Sequence, residues 1–394
     1  MFSMPSQNTR RKVRLNEKVE SRVRGDLYAR FGGECLETYH CKKWQGAGCL
    51  AYGDITLAGA VGDGKTDCST IINQMIASLP AEGGIIVIPE GDFVLDEPIV
   101  INKDNVTIKG LNPGFRSNID VKDESLLGPG GGSKLILRKA DAAIKLGNSD
   151  VSKLAIKNIL ISGGTENHGT GILFESTNTD CSIKNVIGIN LKLGFDIRKA
   201  TRMQISDCWV CEMESSIKLQ GGEQNSVKNC QLGAQPKGIT CMFAKEKNLV
   251  FEKNQVYPDG SSNLVLDECD DAKISNNNFK SYYIGILNMS GNRNKVENNI
   301  FWMADAVANQ LLDRGAEYGV VCIAGEENHF IQNTLTCEWI VENGVTVRAT
   351  EGKNNLIENC LIENTNSNQV LLVNDQMKVL NCVPKDKIKI EQQD

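Results

Sequence analysis

Ile183-Lys184-Asn185, Ile205-Ser206-Asp207, Val227-Lys228-Asn229, Phe251-Glu252-Lys253, Ile274-Ser275-Asn276 and Val296-Glu297-Asn298 repeat one pattern at steps of 22, 22, 24, 23 and 22 residues. Each unit is an apolar residue, any residue, then a turn former. The series extends outward to Ile156-Lys157-Asn158 on one side. On the other it reaches Ile331-Gln332-Asn333, Ile357-Glu358-Asn359 and Val379-Leu380-Asn381, with one long step of 35 residues between Asn298 and Asn333. Eight of the ten third positions are Asn, Asp207 and Lys253 being the exceptions. Asn accepts the left-handed backbone of a tight turn, and in a stack its amide reaches the equivalent residue of the next repeat. A fixed period of this size marks a solenoid whose units bury a shared core only by stacking.

Between these units lies a second strand type: Gly171-Ile172-Leu173-Phe174, Gly194-Phe195-Asp196-Ile197, Ser216-Ile217-Lys218-Leu219, Gly238-Ile239-Thr240-Cys241, Asn263-Leu264-Val265-Leu266, Gly285-Ile286-Leu287-Asn288, Gly319-Val320-Val321-Cys322 and Gly344-Val345-Thr346-Val347. Its apolar residues mostly alternate, as in strands buried on one face. Short strands at this period predict an all-β chain, a right-handed parallel β-helix. A leucine-rich repeat would need its own Leu consensus, which is absent. Cys208, Cys230, Cys360 and Cys382 each follow the turn former, which predicts a stacked interior column. Cys208-x-x-Cys211 has no second pair at metal-site spacing, so no metal and no cofactor is expected.

The chain has 394 residues, a size that repeat folds hold in one domain. The division expected is an N-terminal arm, 1–52, then one β-helix domain, 53–394, with loop insertions near 111–133 and 302–317. Net charge is −6, which argues against a nucleic-acid partner. The basic cluster Arg10, Arg11, Lys12, Arg14 and Lys18 reads as a solvated terminus. No apolar run approaches the roughly 20 residues that span a membrane, so no membrane partner is expected. No hydrophobic run follows the early charges, so a cytoplasmic location is expected, where free thiols serve as small core residues.

Residues 53–110 differ. Gly62-Asp63-Gly64-Lys65-Thr66-Asp67 precedes a stretch, residues 69–79, in which Ile71, Ile72, Met75, Ile76 and Leu79 share one helical face. Gly83-Gly84, an apolar run to Pro89 and Gly91-Asp92-Phe93 follow. The whole resembles the N-terminal cap of the pectate-lyase-like superfamily, a helix closing the open end of a β-helix. Residues 59–66 also fit the phosphate-binding loop pattern, but a solenoid lacks the α/β sheet that such a loop needs.

Histidine is scarce (His40, His168, His329), so chemistry here is expected to rest on carboxylates. A pair flanking a glycosidic bond suffices, one protonating the leaving oxygen and the other activating the attacking group. Outward positions of the second strand type predict a stripe: Glu175, Asp196, Arg198, Lys218, Gln220, Thr240, Asp267 and Arg348. The insertion behind the long step carries Trp302, Asp305, Asp313 and Arg314. Trp302 reads equally as a sugar platform and as packing beneath its own loop.

The stretch Arg198-Lys-Ala-Thr-Arg-Met-Gln-Ile-Ser-Asp207-Cys-Trp-Val-Cys-Glu212 is similar to the active-site coil of glycoside hydrolase family 91, the inulin fructotransferases and difructose anhydride III hydrolases. Tyr318-Gly319-Val320-Val321-Cys322-Ile323-Ala324-Gly325, His168-Gly169-Thr170-Gly171-Ile172 and Ile88-Pro89-Glu90-Gly91-Asp92-Phe93 share the resemblance, which runs from about residue 85 to 380. It implies a homotrimer with its site between subunits, and an Asp and a Glu eleven residues apart. The Glu falls on Glu212, the implied general acid; the Asp falls on Thr201, which cannot act as the same base. Asp196 is the substitute expected. Arg198, Thr201, Asp207, Gln220, His168, Trp302 and Arg314 are the candidate substrate contacts, with Asp207 also a turn-column residue. The function implied is hydrolysis of difructose anhydride III to inulobiose, with a fructose-containing oligosaccharide as partner. Inulin fructotransferase activity and a non-catalytic glycan-binding β-helix are the alternatives.

Overall fold

The computed structural model describes residues 51–114, 132–164, 167–236, 238–257, 260–282, 285–303, 319–338, 345–364, 371–382 and 388–391. Three long parallel sheets run along one axis. Sheet one has 13 strands, from Ala51–Asp54 to Lys378–Leu380; sheets two and three have 12 each, from Asp63–Asp67 to Leu361–Asn364 and from Ile99–Ile101 to Ile388–Glu391. One coil contributes one strand to each, as in Gln204–Ser206, Trp209–Met213 and Ser215–Gln220. This is the expected right-handed parallel β-helix.

The repeat works through register. Ile183, Ile205, Val227, Phe251, Ile274 and Val296 pair in sequence along sheet one and are all buried. Phe243, Phe251, Phe279, Phe301 and Phe330 fill the middle, Phe279 and Phe301 stacking at 4.9 Å between ring centres. Two columns of left-handed residues flank sheet one and let the chain turn in each coil; Arg202 and Asp207 are examples (φ 56° and 58°).

One register differs from expectation. Phe330 pairs with Val296, so the left-handed residue of that coil is Gln332 (φ 55°). Asn333 falls one column inward. Phe330 and Ile331 are both apolar, so the repeat alone admits either frame; the larger ring goes inside, 5.8 Å from Phe301.

That inner column holds the main amide ladder. Asn254, Asn277, Asn299 and Asn333 are buried, and each Oδ1 accepts the backbone N–H of the residue one coil below at 2.8–2.9 Å. Their Nδ2 groups donate onward to Val227, Phe251, Ile274 and Val296 carbonyls. Cys208, Cys230, Cys360 and Cys382 occupy the same column and are buried, as expected. In the turn column itself amide pairing is sporadic, for instance Asn185 Nδ2 to Asn158 Oδ1 at 3.0 Å.

The capping helix, α1, spans Ser69–Ser78 and buries Ile72, Met75 and Ile76. Asn73 pins it to the first strand of sheet three, donating to Pro98 O and accepting from Val100 N. In the phosphate-loop pattern, the Asp63 carboxylate accepts the Lys65 and Thr66 N–H groups at 2.8 Å, so those donors are spent internally. Ala51–Asp54 already pairs with Gly84–Ile88. Residues 1–50 of the expected arm and most of both expected insertions, Arg314 included, lie outside the described residues.

Candidate active site

Asp196, Lys218, Met242, Val265, Asn288, Cys322 and Arg348 form one outward column of sheet three, each paired with the next. Arg198, Gln220 and Asp267 stand two residues further along their strands on the same face, and Glu175 follows directly after the end of its own strand, Thr170–Phe174. The expected stripe therefore exists with one correction. Thr240 is fully buried, because Cys241 pairs with the core residue Ile217, and Met242 takes the outward place.

Arg198 organises the lower part of this face. Its Nη2 reaches Asp196 Oδ2 at 3.1 Å and its Nη1 reaches Glu175 Oε1 at 3.2 Å. Asp196 is the more sheltered partner, its side chain 14% exposed against 59% for Glu175. Gln220 pairs with Arg198 through the backbone, one coil above. A hollow of about 650 Å³ with Lys145 and Glu175 in its wall lies below, and one of about 460 Å³ lined by Glu214, Ser215, Lys218 and Gln235 lies above.

Glu212 sits at the corner where sheet two passes into sheet three. Its backbone is left-handed (φ 65°), the one non-glycine case inside a strand among the described residues. The pairing register shifts there: Val210 faces Leu232 but Met213 faces Ala234, a β-bulge. The Glu212 carbonyl accepts Gln235 Nε2 at 3.0 Å, and Gln235 also lines the hollow beside Lys218. A strained backbone at a bulge stores on the order of 1 kcal/mol and marks functional positions.

The other candidates divide. His168 lies on the same corner two coils below, its Nε2 2.9 Å from Ala140 O. Thr201 pairs with Thr179 in a small three-stranded sheet beyond the far end of the strand Leu193–Arg198. Six residues of strand, about 20 Å, separate that corner from the one bearing Glu212, so one subunit does not bring Thr201 to Glu212. Asp196 lies midway. Asp207 faces away on the sheet one side, where its carboxylate accepts Asn229 Nδ2 at 2.6 Å and pairs with Lys184 at 3.7 Å. Trp302 stands on sheet two, not sheet three. Its Nε1 donates to Glu338 Oε1 at 3.0 Å and Lys280 Nζ lies 4.9 Å from its ring centre.

The sequence reading missed Glu246. It is buried inside the solenoid with Asn225 Nδ2 at 2.7 Å and Gly222 N at 3.0 Å, and burial pushes its carboxyl up to about 7. A lone Glu between a Lys and a Lys reads as surface; no periodic signal marks it.

The family model described as periplasmic copper-binding protein (NosD) matches residues 132–338 and 199–381. The chain belongs to this family. Among the described residues, no group of three or more His, Cys, Asp or Glu side chains is placed to hold a metal ion. His168 contacts a carbonyl, His329 stands on sheet one, and burial raises the Cys208 thiol well above its usual value. The described donors thus do not fit a copper site.

The resemblance read in the sequence is borne out. An inulin fructotransferase (DFA-I-forming) from Arthrobacter globiformis is 23% identical over 320 residues, covering 72% of this chain and 80% of that protein. The crystal structure of DFA-IIIase from Arthrobacter chlorophenolicus without its lid matches with a TM-score of 0.73 at 23% identity, over 87% of this chain and 98% of that one. Its complex with DFA-III matches at 0.72 and 22% identity, over 86% and 96%. At these identities the structural likeness establishes the shared β-helix.

Proposed function

We propose that this NosD-family β-helix is a fructan-acting enzyme whose site lies on the lower outer face of sheet three, between the Glu212 corner and the Asp196–Arg198–Glu175 cluster. The observation that carries this reading is the left-handed Glu212 at its bulge, whose backbone carbonyl binds Gln235 in the wall of a hollow. The likeness to proteins named inulin fructotransferase and DFA-IIIase supports the substrate class.

In the finer form of the proposal the reaction is hydrolysis of difructose anhydride III to inulobiose. Glu212 protonates the glycosidic oxygen of a fructofuranosyl unit. Asp196, held by Arg198, faces the oxocarbenium-like centre and takes a proton from the water as its oxygen bonds that carbon. Arg198 and Gln220 hold fructosyl hydroxyls. The fructotransferase reading replaces water by a sugar hydroxyl on the same residues; the name of the Arthrobacter globiformis relative favours it. A homotrimer belongs to the proposal. Ile300 and Leu361, 50% and 41% exposed on the outer face of sheet two, supply apolar contact for a neighbouring subunit, and light scattering of the purified chain tests it. A cytoplasmic location rests on the sequence reading and is tested by cell fractionation. Product chromatography after incubation with the anhydride tests the activity; loss of turnover in Glu212→Gln tests the acid.

A further inference from the structure

A third hollow, of about 620 Å³, opens further up the same face. Its size falls in the range of sites that enclose a small organic ligand. Met242 and Val265 floor it with apolar surface, while Asp267, Asn288, Arg348 and Glu351 stand in its wall. Two carboxylates, one guanidinium and one amide around an apolar floor make a surface for a neutral polyol. The carboxylates and the Asn288 amide oxygen accept from neighbouring hydroxyls, the Arg348 guanidinium donates to them, and the C–H face of a sugar ring rests on Met242 and Val265. The excess of carboxylate over guanidinium disfavours an anionic occupant.

This hollow is not the catalytic one. Arg348 lies six strands from Asp196 in the same column, roughly 29 Å along the axis. Yet the two regions are joined, since Met242 lines both this hollow and the one beside Lys218. A chain-like ligand lying along the column would therefore touch both.

We propose that this upper hollow is a glycan-binding subsite, taking the distal sugar units of a fructan chain whose end lies near Glu212. The inference rests on the proposed substrate class, in the fructotransferase reading whose substrate is a fructan chain, and adds to it. The occupant is an oligomer several units long, laid parallel to the solenoid axis, and the residues that hold it take no part in bond breaking. Binding energy from this subsite raises affinity for long chains and leaves short ones untouched.

The test is isothermal titration of a fructo-disaccharide and of a long inulin fraction into the full chain, with a parallel turnover assay. Wild type and the inactive Glu212→Gln chain should both bind the long fraction at least about tenfold more tightly than the short one. Asp267→Asn combined with Arg348→Met should lose that difference while keeping the affinity for the disaccharide. Ser290→Arg, which fills the hollow from the next column, should do the same and guards against a folding defect in the first variant. Equal affinity for both lengths in wild type, or a preference that survives both variants, overturns the subsite. Turnover with no length preference overturns the subsite alone and leaves the proposed function standing; no fructan bound and none turned over sinks both.

Discussion

Arg198 and Asp196 stand two residues apart on one strand and meet at 3.1 Å, on the face opposite the solenoid core. Alternation puts both side chains outward, and the parallel register puts Glu175 beneath them at 3.2 Å from the same guanidinium. One arginine thus joins carboxylates from two coils on this face. Replacing Arg198 by Met should lower kcat/KM by tenfold or more, about 1.4 kcal/mol or greater of transition-state binding, with Arg198→Lys recovering part of it. Steady-state kinetics on the fructan substrate check this; unchanged kinetics in the Met variant remove Arg198 from the site.

Glu212 predicts a trade of stability against activity. Glu212→Gln should cut kcat by about 10²–10⁴, the usual contribution of a general acid, and leave the melting temperature alone. Glu212→Gly should be equally inactive yet more stable by about 1 kcal/mol, because glycine adopts φ 65° without strain. Denaturant titration measures the second effect; a less stable glycine variant would show that the backbone there is not strained.

Glu246 makes stability depend on pH. Its folded value of about 7 lies above the ordinary 4.5, so between the two the folded chain holds a proton that the unfolded chain releases. Stability is then full below about 4.5 and falls as pH rises through 7, by about 3 kcal/mol in all. In Glu246→Gln, which carries no titrating group and whose single amide oxygen keeps one of the two bonds to Asn225 and Gly222, this fall should vanish. Chemical denaturation at several pH values between 5 and 8 reads it out, and parallel pH profiles for the two chains contradict it.

The inner amide ladder satisfies buried backbone groups. Asn277 accepts from Asn254 N at 2.8 Å and donates to Phe251 O at 3.0 Å. Asn277→Leu leaves both buried groups without partners, which should cost about 2–5 kcal/mol. The same change at the exposed turn residue Asn276 should cost under about 1 kcal/mol, mainly from its left-handed backbone. Comparable losses at the two positions would mean that the ladder contributes nothing special.

Much of this was legible in the sequence because a solenoid repeats its physics every coil. The steps between Ile183, Ile205 and Val227 set the period, and the cysteines after the turn formers marked the interior column. Where two neighbours share a chemistry, the frame is lost: Phe330 and Ile331 are both apolar, so Asn333 read as a turn residue although it lies in the ladder. Thr240 read as outward because polarity suggests exposure, while register against Ile217 decides otherwise. Trp302 read equally as a sugar platform and as loop packing because sequence order says nothing about which of three sheets a strand joins. The resemblance set Thr201 eleven residues before Glu212, where the family has its Asp; in a coil, eleven residues carry the chain from one end of sheet three to the other.

The most direct measurement is product analysis by chromatography after separate incubation with difructose anhydride III and with inulin, for wild type and Glu212→Gln. The proposed function predicts inulobiose from the anhydride with wild type and none with the variant. Turnover of neither substrate by wild type, or full turnover by Glu212→Gln, contradicts it.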